Sequence, residues 1–317
     1  MFQHLVCALF LASPGLWLSE ATGPVASAPH AVCHGAQSQG GLLVCDGPQG
    51  AHWQMGAVHR TADEEGRVLF GLTRDASSPA HLSVQTGTGV PVELSVEIAA
   101  RQDAFRVIEG LDCDKVDART PEQIEHAGRS WVLKQDAFNA FMTGPGVSQG
   151  FVRPAEGPAS SPFGPQRKYI GISAATGESC EKVSVHRGYD IAAPIGTPIR
   201  APAGGTVILA DPDLYYEGGT VFLDHGQGLV SLFMHMSSVD VAAGDVLAQG
   251  DTLGKTGNTG RTTGPHLHWA VKWRNPDASD RGGDFYIDPA LLLDLTALPV
   301  RGESASEMRT SATTATD

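Results

Sequence analysis

One short stretch dictates the kind of structure this chain can join. His266-Leu267-His268-Trp269-Ala270-Val271-Lys272-Trp273 alternates cleanly. Side chains on a strand alternate between faces with a period of two. Leu267, Trp269, Val271 and Trp273 therefore share a face that must be buried, and both histidines point the other way. Two imidazoles side by side are costly if both are charged. A metal ion, or a division of labour between ligand and acid/base group, removes that cost. On this segment alone, two plain surface histidines stay open as the alternative.

Two further segments bear histidines upstream. In His186-Arg187-Gly188-Tyr189-Asp190, Gly188 and the nearby Pro194 disfavour a helix. On a strand, positions i and i+4 share a face, so the spacing predicts His186 and Asp190 side by side on one strand. Such pairs mostly bind nothing. His235 follows the apolar strand Leu229-Val230-Ser231-Leu232-Phe233-Met234, after a hairpin turn at Gly226-Gln227-Gly228. A lone histidine at such a place is more often structural, and its weight comes from the other two segments. Together the three offer the nitrogen and oxygen donors that a zinc site uses.

The remaining composition sets the frame. A length of 317 residues suggests two domains, and 38 Gly and 20 Pro against 7% aromatic residues fit a mainly β, loop-rich chain. A formal charge of -13 argues against a nucleic-acid partner. No apolar run reaches the roughly 18 residues of a membrane span. Leu5-Val6-Cys7-Ala8-Leu9-Phe10-Leu11-Ala12 followed by Ala26-Ser27-Ala28 reads as a signal peptide over residues 1–28. Export follows, with the periplasm as the expected compartment and secretion as the variant of it. Removing Cys7 leaves Cys33, Cys45, Cys113 and Cys180, an even number suited to an oxidising compartment. Three pairings are open to four cysteines. The expected one is a local Cys33–Cys45 bridge with Cys113–Cys180 tying the two domains.

Residues 29–118 read as a small β-sandwich. Its strands are expected at Leu42–Cys45, Val68–Leu72, His81–Thr86, Val92–Ile98 and Ala104–Ile108. Residues 119–145 read as a helical linker. Thr120 caps it, Pro121 sits at its first position, and Ile124, Trp131, Val132, Phe138 and Phe141 recur at helical spacing to about Met142. Residues 146–298 form the second domain, with a polar loop through Ser184 and then short strands at 197–200, 205–210, 219–225, 229–235 and 252–256. Residues 299–317, rich in Ser, Thr, Ala and Glu, are an expected disordered tail.

At this point the motifs resemble a family. His186-Arg187-Gly188-Tyr189-Asp190, Leu223-Asp224-His225-Gly226, Gly250-Asp251-Thr252-Leu253-Gly254, Gly257-Asn258-Thr259-Gly260 and Gly264-Pro265-His266-Leu267-His268 occur in the order found in lysostaphin/LytM-type zinc endopeptidases. The resemblance covers roughly residues 150–296. More loosely, Gly71-Leu72-Thr73-Arg74-Asp75 and Arg106–Leu111 resemble the N-terminal β-domain of proteobacterial members. The resemblance implies an antiparallel β catalytic domain and a Zn2+ cofactor held by His186, Asp190 and His268. It also implies His235 and His266 as catalytic histidines that are not ligands, and peptidoglycan peptide as substrate. Zinc would lower the pKa of its water toward about 7 and polarise the scissile carbonyl. The two free histidines would then handle the proton and the oxyanion.

Two other classes compete. A catalytically silent relative that activates another cell-wall hydrolase would be marked by lost ligands, and all five positions are filled here. A lipoyl- or biotinyl-type carrier needs a lysine at a hairpin tip, and no lysine occurs between Lys182 and Lys255. Of the remaining histidines only His225 is tempting, and a turn or packing role suits it better. Tyr215 and Tyr216, between strands, are candidate substrate contacts. Cell-wall or division proteins are conceivable partners that no motif identifies.

Overall fold

The structure, a computed structural model, describes residues 31–85, 89–113, 117–174, 176–275 and 283–295. The expected signal peptide 1–28 and tail 299–317 lie outside the described residues. Near the N-terminus the chain runs through β1 (Val32–Gly35), β2 (Leu42–Asp46), β3 (His52–Met55), β4 (Val58–Thr61), β5 (Arg67–Gly71), β6 (Ala80–Gln85) and β7 (Val92–Val96). These form two antiparallel sheets, β1-β2-β5 and β4-β3-β6-β7. Leu43, Cys45, Val68 and Phe70 of the first sheet pack on Trp53, Leu82 and Val84 of the second, which is the expected sandwich. Leu42, Val44 and Leu69 face the other way and join the core of the C-terminal half. Burial on both faces explains why β2 and β5 read as apolar runs and not as alternating strands.

Both expected disulfides form. Cys33 and Cys45 are direct cross-strand partners. Cys113 follows β8 (Phe105–Asp112) and bridges to Cys180. After α1 (Pro121–Ala137) and β9 (Ala159–Ser161) come β10 (Gln166–Ile172) and β11 (Ser179–Val185), giving a sheet of order β11-β10-β8. The polar loop expected through Ser184 is thus a hairpin instead. Backbone pairing from Gln166–Val185 to Ile172–Ser179, with β8 added in parallel, satisfies a polar segment that buries little of its surface.

The helix differs from expectation in two ways. Thr120 caps it, as expected, and also forms a capping box with Gln123, but the helix ends at Ala137, with Phe138 as its C-cap. Phe138 leaves the helix to stack on Phe222 at 5.1 Å. Ile124, Trp131, Val132 and Phe141 are exposed, whereas Ser130 and Ala137 are buried. The helix meets the rest of the molecule through a polar stripe, so its apolar spacing does not mark the packed face.

The C-terminal half contains β12 (Tyr189–Ala192), β13 (Pro198–Arg200), β14 (Gly205–Leu214), β15 (Gly218–Gly226), β16 (Leu229–Met236), β17 (Ser238–Val239), β18 (Val246–Leu247), β19 (Thr252–Lys255), β20 (His266–Trp273), β21 (Phe285–Ile287) and α2 (Pro289–Leu292). The main sheet runs β18-β14-β15-β16-β20-β12-β9, with β21 also on β20, and β13-β19-β17 forms a second small sheet. The turn from β15 to β16 has positive φ at both Gln227 (54°) and Gly228 (86°), the type I′ pattern that matches strand twist. β20 lies inside the sheet, paired with β16, β12 and β21. Leu267, Trp269, Val271 and Trp273 are all fully buried, each contributing about 2 kcal/mol or more. Arg101 joins the two halves, donating to Asp288 Oδ2 (2.8 Å) and to the Phe163 carbonyl (2.8 Å).

His225 takes the structural role expected of it. Its Nδ1–H donates to the Gly204 carbonyl (2.8 Å), and its Nε2 accepts from Ser231 Oγ (2.8 Å), which in turn accepts from the Trp269 indole (3.2 Å). That network needs a neutral ring, and complete burial pushes the imidazole down from 6.5 to about 4. The unfolded chain therefore binds the extra proton, so this contribution is intact above pH 6.5. It is lost as pH falls from 6.5 to about 4, by about 3 kcal/mol in all. Urea titrations across that window should show the decline, and His225→Gln should remove that part of it. A midpoint equally pH-dependent in the variant would refute the assignment.

Candidate metal centre

Asp190 on β12 lies directly opposite His268 on β20, and Ala192 lies opposite His266. Met234 on β16 pairs with His268 from the other side, which brings His235 to the same end of the sheet. His186 arrives differently from the reading of one shared strand. It follows β11, outside β12, and the chain changes sheets over 186–188. The reason lies at Gly188: a Cβ there would sit 2.5 Å from His268 Nε2, so the backbone passes directly beneath that ring. The switch, not strand periodicity, brings His186 back beside Asp190.

Among the described residues, His186, Asp190 and His268 offer donor atoms that all lie within 4.8 Å of one another. Asp190 Oδ1 is 3.1 Å from His186 Nε2 and 2.8 Å from His268 Nδ1, and the two nitrogens are 3.3 Å apart. Ligands on a tetrahedral zinc with bonds of 2.0–2.1 Å stand about 3.3 Å apart. The donor set, two imidazoles and a carboxylate, also suits zinc. His186 is oriented for the task, because its Nδ1–H donates to the Pro162 carbonyl at 2.7 Å and leaves Nε2 bare. Burial would raise the Asp190 carboxyl, but hydrogen bonds and charge from His186 and His268 hold it well below the carboxylate range. The His268 ring is pushed down by burial, against the pull of Asp190.

His235 and His266 stand beside this trio with ring centres 4.9 Å apart, and His235 is 6.0 Å from His268. Each is pinned through Nδ1–H to a carbonyl, Thr259 at 2.9 Å and Gly264 at 2.8 Å. Each therefore presents a bare Nε2, that of His266 at 3.7 Å from Asp190 Oδ1. Burial, helped by the charges of His268 and His266, pushes His235 down to about 3, so its ring is neutral at neutral pH. His235 also adopts φ 64°, a left-handed conformation that costs a side-chain-bearing residue about 1–3 kcal/mol. The Glu217 carbonyl, accepting from His235 N–H at 2.7 Å, helps to hold it there.

Sequence patterns missed the groups that act through their backbone. The carbonyls of Pro162, Thr259, Gly264 and Glu217 carry no side-chain signature; only Gly188, between His186 and Asp190, offers a readable one. Tyr215 and Tyr216 pack edge to face at 4.7 Å, with Arg261 over Tyr216 at 4.8 Å. A cleft of about 610 Å³ is lined by Met234 and Arg187, the chain neighbours of His235 and His186, and by Lys272, Tyr286, Trp131 and Glu217, among others. No helix among the described residues is long and apolar enough to cross a membrane, which says nothing about a β-barrel.

Residues 184–281 match the model of peptidase family M23. The fold is similar to a solved peptidase M23 protein from Pseudomonas aeruginosa, at 30% identity and a TM-score of 0.55, over 81% of this chain and 95% of that one. A metalloprotease of Haemophilus influenzae is 35% identical over 155 residues, which are 46% of this chain and 30% of that protein. The peptidoglycan DD-endopeptidase ShyA of Vibrio cholerae is 37% identical over 91 residues, 29% of this chain and 21% of that protein. The chain thus spans less than a third of the length of either of these two relatives.

Proposed function

Because the chain belongs to peptidase family M23, we propose that it is a zinc-dependent endopeptidase that hydrolyses peptide bonds of bacterial peptidoglycan, in a stem or a cross-link. One observation carries this: three donors converge within 2.8–3.3 Å of one another while two further imidazoles present bare Nε2 atoms beside them. His186, Asp190 and His268 would hold the metal. When bound, zinc supplies a Lewis acid and lowers the pKa of water. The chain's own residues do the remainder. One of His235 and His266 accepts the proton of the attacking water on Nε2 and returns it to the leaving amine. The other would stabilise the oxygen that gains charge by donating from Nε2 after taking up a proton from solvent. Their Nδ1–H bonds keep both rings from turning away.

The peptidoglycan substrate is supported by the name of the ShyA relative and by the family motifs. Export to the periplasm is supported by the apolar segment and small-residue site within 1–28 and by four cysteines engaged in two disulfides. The test is digestion of purified sacculi by the mature protein, with mass analysis of what is released. Zinc-loaded protein should release peptides or split cross-linked muropeptides, a chelator should stop it, and zinc should restore it. Sacculi and muropeptides left intact by the zinc-loaded protein would replace this reading with that of a silent activator.

A further inference from the structure

We infer that α1, which carries no member of the His/Asp constellation, positions His235 for its work, with Lys134 as the key residue. The inference rests on the proposed role of His235. The unusual φ of His235 is held from two sides, by the Glu217 carbonyl on its N–H and by the Thr259 carbonyl on its ring. Both anchors lead back to one short segment, the end of β14 and the turn after it.

That segment is clamped by three side chains on successive turns of α1. His126, Ser130 and Lys134 are spaced by four residues and so share one helix face. His126 Nε2–H donates to the Asp213 carbonyl (2.7 Å). Ser130 Oγ accepts from Tyr215 N–H (3.0 Å) while donating to the His126 carbonyl (2.9 Å). Lys134 Nζ donates to Glu217 Oε1 at 2.5 Å, with both side chains largely buried. The residue whose carboxylate Lys134 grips is the residue whose carbonyl holds His235. The turn then fixes the second anchor, since the Tyr216 carbonyl accepts from Arg261 N–H (2.8 Å), and Gly219 N–H donates to Thr259 Oγ1 (2.9 Å). A path of direct bonds thus runs from the helix to both supports of one imidazole. It also explains why α1 packs by polar residues along this face and leaves its large apolar ones exposed.

The test compares Lys134→Met, Lys134→Arg and the milder Ser130→Ala in the full chain. Lys134→Met should lower kcat on muropeptide about 10-fold, with KM and bound zinc unchanged. Lys134→Arg should restore most of the loss, and Ser130→Ala should show a smaller drop of the same kind. A second readout does not need turnover. In 15N-histidine spectra, the His235 Nδ1–H signal, assigned by its loss in His235→Gln, should exchange with water faster in Lys134→Met. Signals of His186 and His268 should stay put. An unchanged His235 signal together with unchanged kcat would overturn the inference. So would a loss that merely follows the fraction of unfolded or zinc-free protein and that Lys134→Arg does not rescue. Inactive wild-type protein would instead count against the proposed function, and the His235 signal would still decide the positioning role.

Discussion

Replacing His268 with alanine should empty the metal centre and end peptide release. His268 Nδ1 is one of three donor atoms, and its ring also helps to keep the buried Asp190 carboxyl ionised. Its loss leaves two donors and removes one of the two imidazoles that oppose the burial cost at Asp190. Loss of a supporting group beyond the ligands typically costs 10–100-fold in metal affinity, so loss of a ligand should exceed about 100-fold. Zinc should fall from about one per chain to near zero at micromolar metal. Thermal unfolding offers an independent view. Zinc at about 100 times its Kd should stabilise the wild type by roughly 3 kcal/mol and the variant hardly at all. The fold itself should survive, because the apolar partners of His268 on β20 point to the opposite face.

Replacing His235 with alanine should separate binding from chemistry. Its nearest site contacts are the rings of His266 and His268, and it contributes no atom to the donor trio. Zinc content should stay at the wild-type level while kcat falls by about 10²–10⁴, the usual worth of a positioned acid/base group. His266→Ala should behave alike. If the two rings share one proton path, the double variant should lose little more than either single one, because groups that act as a unit are not additive. Loss of zinc from His235→Ala, or kcat within about 10-fold of wild type, would remove His235 from the chemistry.

Much of this centre was readable as pattern, and the reasons are local. The alternation His266–Trp273 places two histidines on the face opposite four buried residues because period-two geometry needs no tertiary information. The cap at Thr120 and the turn at Gln227-Gly228 are likewise short-range. What escaped was set by distant partners. His186 rejoins Asp190 through a sheet switch that depends on the His268 ring lying over Gly188, eighty residues away in sequence. The strand pairing of 166–185 depends on β8 arriving from the N-terminal half. The start of the helix is legible at Thr120 and Pro121, but its end and its packed face are not, because His126, Ser130 and Lys134 make polar contacts that apolar spacing cannot reveal. The left-handed conformation of His235 has no local signature, since it is held by the carbonyls of Glu217 on its N–H and of Thr259 on its ring, both placed from elsewhere.

The division of the five residues into three ligands and two free imidazoles is tested most directly by diffraction at the zinc absorption edge from crystals grown with the metal. One anomalous peak should lie within bonding distance of His186 Nε2, Asp190 Oδ1 and His268 Nδ1, with His235 and His266 outside its coordination. A peak bonded to His235 or His266, or none among the five residues, would contradict the account.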